Sequence, residues 1–264
     1  MAFTEVNGAK LWYEVTGEGE PVVHIHGAGF GHFNFATATP IESKYFQCVD
    51  YDQRGYGQSD KPIQNYDMEV WADDLAGLMD HLGLETAHVH GSSMGGMVAQ
   101  EFMVHYPDRA AALVLSATSP SFGKPGGEWQ EWFLGQRLAP LDRGLSPADF
   151  ANELVPNLMA ENPSDAAVSA AMASMSALSS ETYRAALHCL VRFNQRAKLR
   201  DIACPTLALA GEHDEAAPAS MMEKMSGYIP DCRYHCLPGV GHLANLENPD
   251  NFNQAIRGFL DEVA

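Results

Sequence analysis

The chain has 264 residues, 46% hydrophobic and 19% charged, which suits one large soluble domain or a domain carrying an insertion. Sixteen Lys and Arg against 34 Asp and Glu leave a formal net charge of −18, which argues against a nucleic-acid or anionic-membrane partner because phosphate binding needs a basic footprint. The five cysteines include no CxxC pair, and the sequence shows neither a basic-then-apolar leader nor an apolar run of about 18 residues, so the expected setting is cytoplasmic, without disulfides or a membrane span.

Taken in chain order, short apolar or alternating runs predict strands at "KLWYEVTG", "PVVHIHG", "FQCVDYD", "TAHVHG", "AALVLSAT", "PTLALAG" and "CRYHCLPG". Helices are expected between them. "MEVWADDLAGLMDHLG" sets Val70, Leu75, Leu78, Met79 and Leu82 on one face and closes on Gly83, and "MGGMVAQEFMVHYP" runs to Pro107. Alternating strand and helix predicts an α/β fold with a mostly parallel sheet covered on both faces. Residues 119–200 break the rhythm and read as a helical insertion in a core made of residues 1–118 and 201–264. Its opening, "PSFGKPGGEW", reads as a hinge.

Gly91-Ser92-Ser93-Met94-Gly95 lies between a predicted strand and a predicted helix, the context in which a Gly-x-Ser-x-Gly turn presents a nucleophile. Ser93 is the central serine. A hydroxyl needs a base, and the base needs an orienting acid. Asp214, just past "LALAG", and His242, in "LPGVGH", follow in the order Ser, acid, His, each where a loop leaves a strand's carboxyl end. Asp52, after an earlier strand, is the less favoured acid. Two N–H donors are required for an oxyanion, and Met94 and Ala28 are the candidates, Gly29 being next to the latter.

These segments, with "DYDQRGYGQSD", "YPDR" and "PGVGHLANLENP", resemble the α/β-hydrolase fold superfamily from about residue 5 to 262. The "SMGGMVAQ" helix is most similar to small hydrolases that include 3-oxoadipate enol-lactonases and carboxylesterases. The resemblance implies an eight-stranded, mostly parallel sheet flanked by helices, a helical cap between strands six and seven, and Ser93, Asp214 and His242 as a triad. Dehalogenases and epoxide hydrolases of the superfamily place Asp where this chain has Ser93.

The expected activity is cofactor-independent hydrolysis of a small-molecule carboxylic ester or lactone through an acyl-enzyme. The alternatives are carbon–carbon hydrolysis of a ring-fission product, whose enzymes commonly carry Trp where this chain has Leu243, and a small-molecule-binding, receptor-like module. A homodimer is compatible with the sequence. Gly29, Phe33, Phe35, Trp129, Trp132 and Leu243 are the expected substrate contacts, with Phe133, Met172 and Met175 as further cap candidates. The pairs His24/His26 and His88/His90 invite a metal reading because alternate strand residues share a face. With no carboxylate at matching spacing, packed and hydrogen-bonded core histidines are expected, and no metal.

Overall fold

A computed structural model describes residues 1–62, 66–124 and 126–263. Pro125, within the expected hinge, lies outside the described residues. Eight strands form one sheet: β1 (Ala2–Val6), β2 (Ala9–Thr16), β3 (Pro21–Ile25), β4 (Gln47–Tyr51), β5 (Ala87–Ser92), β6 (Ala110–Ser116), β7 (Thr206–Gly211) and β8 (Cys232–Leu237). Their order is β1-β2-β4-β3-β5-β6-β7-β8. The β1/β2 and β2/β4 pairs are antiparallel and the rest parallel.

Seven of these strands match the apolar runs, and β1 is an addition. Its signal is the Asn7-Gly8 pair, where both residues take positive φ (48° and 73°), as a tight two-residue hairpin turn requires.

The sheet is buried on both faces because successive strand residues point to opposite sides. Val23, Ile25, Val49, Val89 and Leu113 pack against Trp71, Leu75 and Leu78 of α2 (Met68–His81) and Val98 and Phe102 of α3 (Met94–His105). Val22, Cys48, Ala112, Val114 and Leu207 face Phe252, Ile256, Phe259 and Leu260 of the C-terminal helix (Pro249–Val263). Between β3 and β4 lies the single-turn α1 (Thr39–Glu42).

Between β6 and β7 come α4 (Glu128–Asp142), α5 (Pro147–Leu154), α6 (Asp165–Ser176) and α7 (Ser180–Arg192), with a 3-10 turn at Val155–Leu158. At the neck of this insertion Ser121 pairs with Asn194 in an isolated antiparallel bridge. Phe122 N–H donates to Phe193 O at 3.1 Å and Gln195 N–H to Pro120 O at 2.8 Å. The chain thus enters and leaves the insertion side by side. After β7 follow α8 (Ala219–Ser226), α9 (Ala244–Glu247) and α10, the C-terminal helix already described.

Candidate active site

Ser93 sits alone between the end of β5 and the start of α3, with φ 54° and ψ −117°. A non-glycine residue in that region is strained and holds there only if its surroundings fix it. They do. Ser93 N–H donates to Ser116 O at 2.9 Å, and Thr118 Oγ1 donates to Ser93 O at 2.7 Å, so the end of β6 grips both backbone groups. The flanking glycines are equally constrained. A Cβ at Gly91 would lie 2.3 Å from Gly95 O, and one at Gly95 would lie 2.0 Å from Ile25 O.

Three side chains far apart in sequence meet at this turn. Ser93 Oγ–H donates to His242 Nε2 at 2.9 Å, and His242 Nδ1–H donates to Asp214 Oδ2 at 2.8 Å. Asp214 Oδ1 accepts the N–H groups of Ala216 and Ala217, both at 2.8 Å. Burial alone would raise the Asp214 carboxyl. His242 and these two amides outweigh it and hold the group below its ordinary range. Asp52, the other candidate acid, turns elsewhere: its Oδ1 accepts from His32 N–H (2.8 Å) and His32 Nδ1–H (2.9 Å), and its Oδ2 from Gln58 N–H.

The loop after β3 runs beside the serine. A Cβ on Gly27 would stand 3.2 Å from Ser93 Cβ, so Ala28 follows a residue already in contact with the nucleophile candidate. Gly27 N–H donates to Asn34 Oδ1 at 3.0 Å. His26 Nδ1–H donates to Gly27 O at 3.0 Å, while its Nε2 accepts from Gln53 N–H at 3.1 Å. Burial, partly offset by Asp52, pushes this imidazole down to about 4, so it stays neutral and keeps both bonds at neutral pH. Met94 is the first residue of α3, and its amide lacks an acceptor within the helix.

The expected substrate contacts scatter. Gly29 lies under the insertion, with Met175 Sδ 3.5 Å from where its Cβ would be. Leu243, beside His242, is buried. Phe33 is 55% exposed. Phe35 is a correction: instead of lining a pocket it is buried in the interior, stacked on His24 at 4.4 Å and set edge-on to His90 at 5.0 Å. Trp129 and Trp132 are 52% and 59% exposed on α4, and Trp129 packs on Phe122 and Phe133. Of the cap candidates it is Met175, on α6, that reaches the loop beside Ser93.

The four strand histidines separate. His26 anchors the loop, His88 Nε2–H donates to Glu20, and His24 with His90 lies inside the protein. The carboxylates absent from the spacing pattern are supplied by other elements, Glu42 and Asp50, which take both nitrogens of His24.

Glu247 is a site residue that the motif reading passes over. Its carboxylate accepts from Gly241 N–H at 3.1 Å and from Ala160 N–H at 2.8 Å, and His242 N–H donates to Leu158 O at 2.9 Å. The insertion is thereby fastened to the loop that carries His242. Asn245 ties the same loop to the segment after β3 instead: its Nδ2 donates to Asn34 O, and Thr37 Oγ1 donates to its carbonyl. The only signal in the sequence is that Asn245 and Glu247 follow His242 by three and five residues.

Residues 20–249 match the family model described as "alpha/beta hydrolase fold". The chain belongs to the α/β-hydrolase fold family. It is similar to a thermophilic esterase from Thermogutta terrifontis, at 30% identity and TM-score 0.91, covering 99% of this chain and 98% of that one. It is also similar to the enol-lactonase from Burkholderia xenovorans, at 25% identity and TM-score 0.89, covering 98% and 100% of the two chains. Against 3-oxoadipate enol-lactonase 2 of Acinetobacter baylyi it is 27% identical over 223 residues, 83% of this chain and 80% of that one. Proteins named as esterases and enol-lactonases are thus among its relatives within that family. Among the described residues no helix is long and apolar enough to cross a membrane.

Proposed function

We propose that the protein is a serine hydrolase that cleaves a carboxylic ester or lactone through an acyl-enzyme. The supporting observation is the unbroken relay from Ser93 through His242 to Asp214, with Ser93 in a strained turn at a helix start. In this reading Ser93 Oγ attacks the carbonyl carbon as His242 Nε2 takes its proton. Asp214 keeps Nδ1–H in place, so that Nε2 is the basic nitrogen and the imidazolium that forms is stabilised. The carbonyl oxygen takes the electron pair of its π bond and is held by the N–H groups of Met94 and Ala28, each donor worth about 3–4 kcal/mol in such sites.

Collapse of this intermediate breaks the acyl–oxygen bond, and His242 protonates the departing alkoxide. His242 then deprotonates a water that attacks the acyl-enzyme; collapse of the second intermediate frees the acid and restores Ser93. Residues 119–200 act as a cap over this centre, with Met175 and Leu243 on the acyl side. Relatives named for ester and enol-lactone substrates support the same class.

The test is a panel of short p-nitrophenyl esters, lactones and a ring-fission dienoate with wild type, Ser93→Ala and Ser92→Ala. Ester or lactone turnover that vanishes in Ser93→Ala and survives in Ser92→Ala is expected. Turnover retained by Ser93→Ala would remove the mechanism, and turnover of the dienoate alone would move the protein to carbon–carbon hydrolysis.

A further inference from the structure

Beneath the loop that carries Ala28, on the face covered by α1 and α10, the sheet buries a polar cluster that the proposed hydrolysis does not use. Cross-strand register builds it: β3 pairs His24 with Asp50 of β4 on one side and with His90 of β5 on the other, so the three side chains form a row across neighbouring strands. Glu42, from α1, closes over the row. His24 is 1% exposed, Glu42 2%, Asp50 8% and His90 0%.

The hydrogen bonds within the cluster are incomplete. His24 Nδ1–H donates to Asp50 Oδ1 at 2.8 Å, and Thr39 Oγ1 donates to Asp50 Oδ2 at 2.8 Å. His24 Nε2 lies 2.8 Å from Glu42 Oε2, and His90 Nε2 lies 3.1 Å from Ser116 Oγ. Among the described residues, Glu42 Oε1 and His90 Nδ1 have no partner although both are buried. Leaving a buried carboxylate oxygen and an imidazole nitrogen unsatisfied is costly.

We propose that His24, Glu42 and His90 form a closed site for a divalent transition-metal ion of the zinc type, with Asp50 orienting His24. One ligand-type atom from each of the three lies within 4.8 Å of the others. Bonds of about 2.0–2.1 Å to nitrogen and oxygen set tetrahedral edges near 3.4 Å, so closure draws together atoms that already lie within 4.8 Å. The ion takes the place of the proton between His24 Nε2 and Glu42, and that proton leaves to solvent. Glu42 contributes one oxygen, since the two oxygens of one carboxylate lie too close together to span a tetrahedral edge.

Asp50 to His24 Nδ1–H is the carboxylate–histidine arrangement that fixes a metal-binding imidazole, and two nitrogens and a carboxylate suit zinc or cobalt better than magnesium or calcium. With every ligand buried, the ion is structural: it would pin α1 to β3 and β5, two residues upstream of His26.

The test uses the full chain without a histidine tag. Elemental analysis of purified protein, chelator stripping, and reloading with zinc or cobalt are followed by melting and by the visible ligand-field absorption of cobalt. About one ion per chain, a higher melting temperature on reloading, and a tetrahedral cobalt band are expected. Asp50→Asn should weaken retention about 10–100-fold. Glu42→Gln and His90→Ala should abolish stoichiometric retention while Ser93 still reacts with a fluorophosphonate probe. Wild type with no stoichiometric ion, no cobalt band and unchanged melting would overturn the proposal, as would equal retention in the His90→Ala and Glu42→Gln variants. If those variants fail to fold, the wild-type stoichiometry and cobalt band decide alone.

Discussion

The rim of the sheet and the helical insertion above it are built to different tolerances. At the rim, backbone packs on backbone, Gly91 against Gly95 and Gly95 against Ile25, and Gly27 packs on the Ser93 side chain, at distances that admit no added methyl group without movement. In the insertion, away from its backbone contacts at Leu158 and at the neck, α4 leaves Trp129 and Trp132 more than half exposed. The rim therefore fixes the positions of reacting groups, while the insertion is free to vary what it presents to them. Where the two meet, a few hydrogen bonds around Glu247 and His242 carry the registration.

Changes at the rim should act on turnover, with little effect on folding unless they add bulk. Ser93→Ala is expected to lower kcat/KM by about 10⁴-fold or more at an unchanged melting temperature. Asp214→Asn should cost about 10⁴-fold, because the amide favours the imidazole tautomer that cannot accept the Ser93 proton. Comparing kcat for each variant with its melting curve separates lost chemistry from lost structure.

At the junction the effect should be intermediate. Glu247→Gln replaces a charged acceptor of two backbone N–H groups with a neutral one, and a fall in kcat of about 10-fold is expected from the misplaced His242 loop. An unchanged kcat with only lower melting would show that Glu247 supports the fold alone. In the insertion, Trp132→Ala should alter kcat/KM for a short ester by less than about 3-fold, since an exposed residue there contributes little. A much larger loss would place α4 against the substrate and erase the contrast between the two regions.

Acid should also destabilise the fold, with the rim contributing through His26. His26 is held near 4 in the fold against an ordinary 6.5, so the unfolded chain binds a proton that the native state refuses across that window. Stability is then expected to fall as pH drops from about 6.5 to 4. Asp214 adds a further loss lower down: its folded value lies below the ordinary 3.8, so its contribution is present above that value and disappears as pH falls through the folded one. His26→Gln should flatten the upper part of the melting-temperature profile, and an unchanged profile would assign the acid loss to other groups.

The relay was legible because its chemistry dictates order, turn type and strand-end position, all of which are local patterns. Seven of the eight strands were legible from apolar runs, and β1 was not, since five residues with two polar positions carry little signal beyond the Asn7-Gly8 turn. Phe35 misled because a 3-10 turn has no sustained periodicity from which to judge the direction of a ring. The clustering of Glu42 and Asp50 on His24, and the reach of Glu247 into the insertion, arise from contacts between distant segments that no spacing rule encodes.

The central claim is that Ser93 is the activated hydroxyl of this protein. Treatment with a fluorophosphonate probe, followed by intact mass measurement and peptide mapping, tests it directly. One phosphonyl group on Ser93 is predicted in wild type and in Ser92→Ala, with none in Ser93→Ala and labelling slowed at least about 100-fold in His242→Gln. A wild-type protein that hydrolyses its substrate yet carries the adduct on another residue, or none at all, would contradict the account.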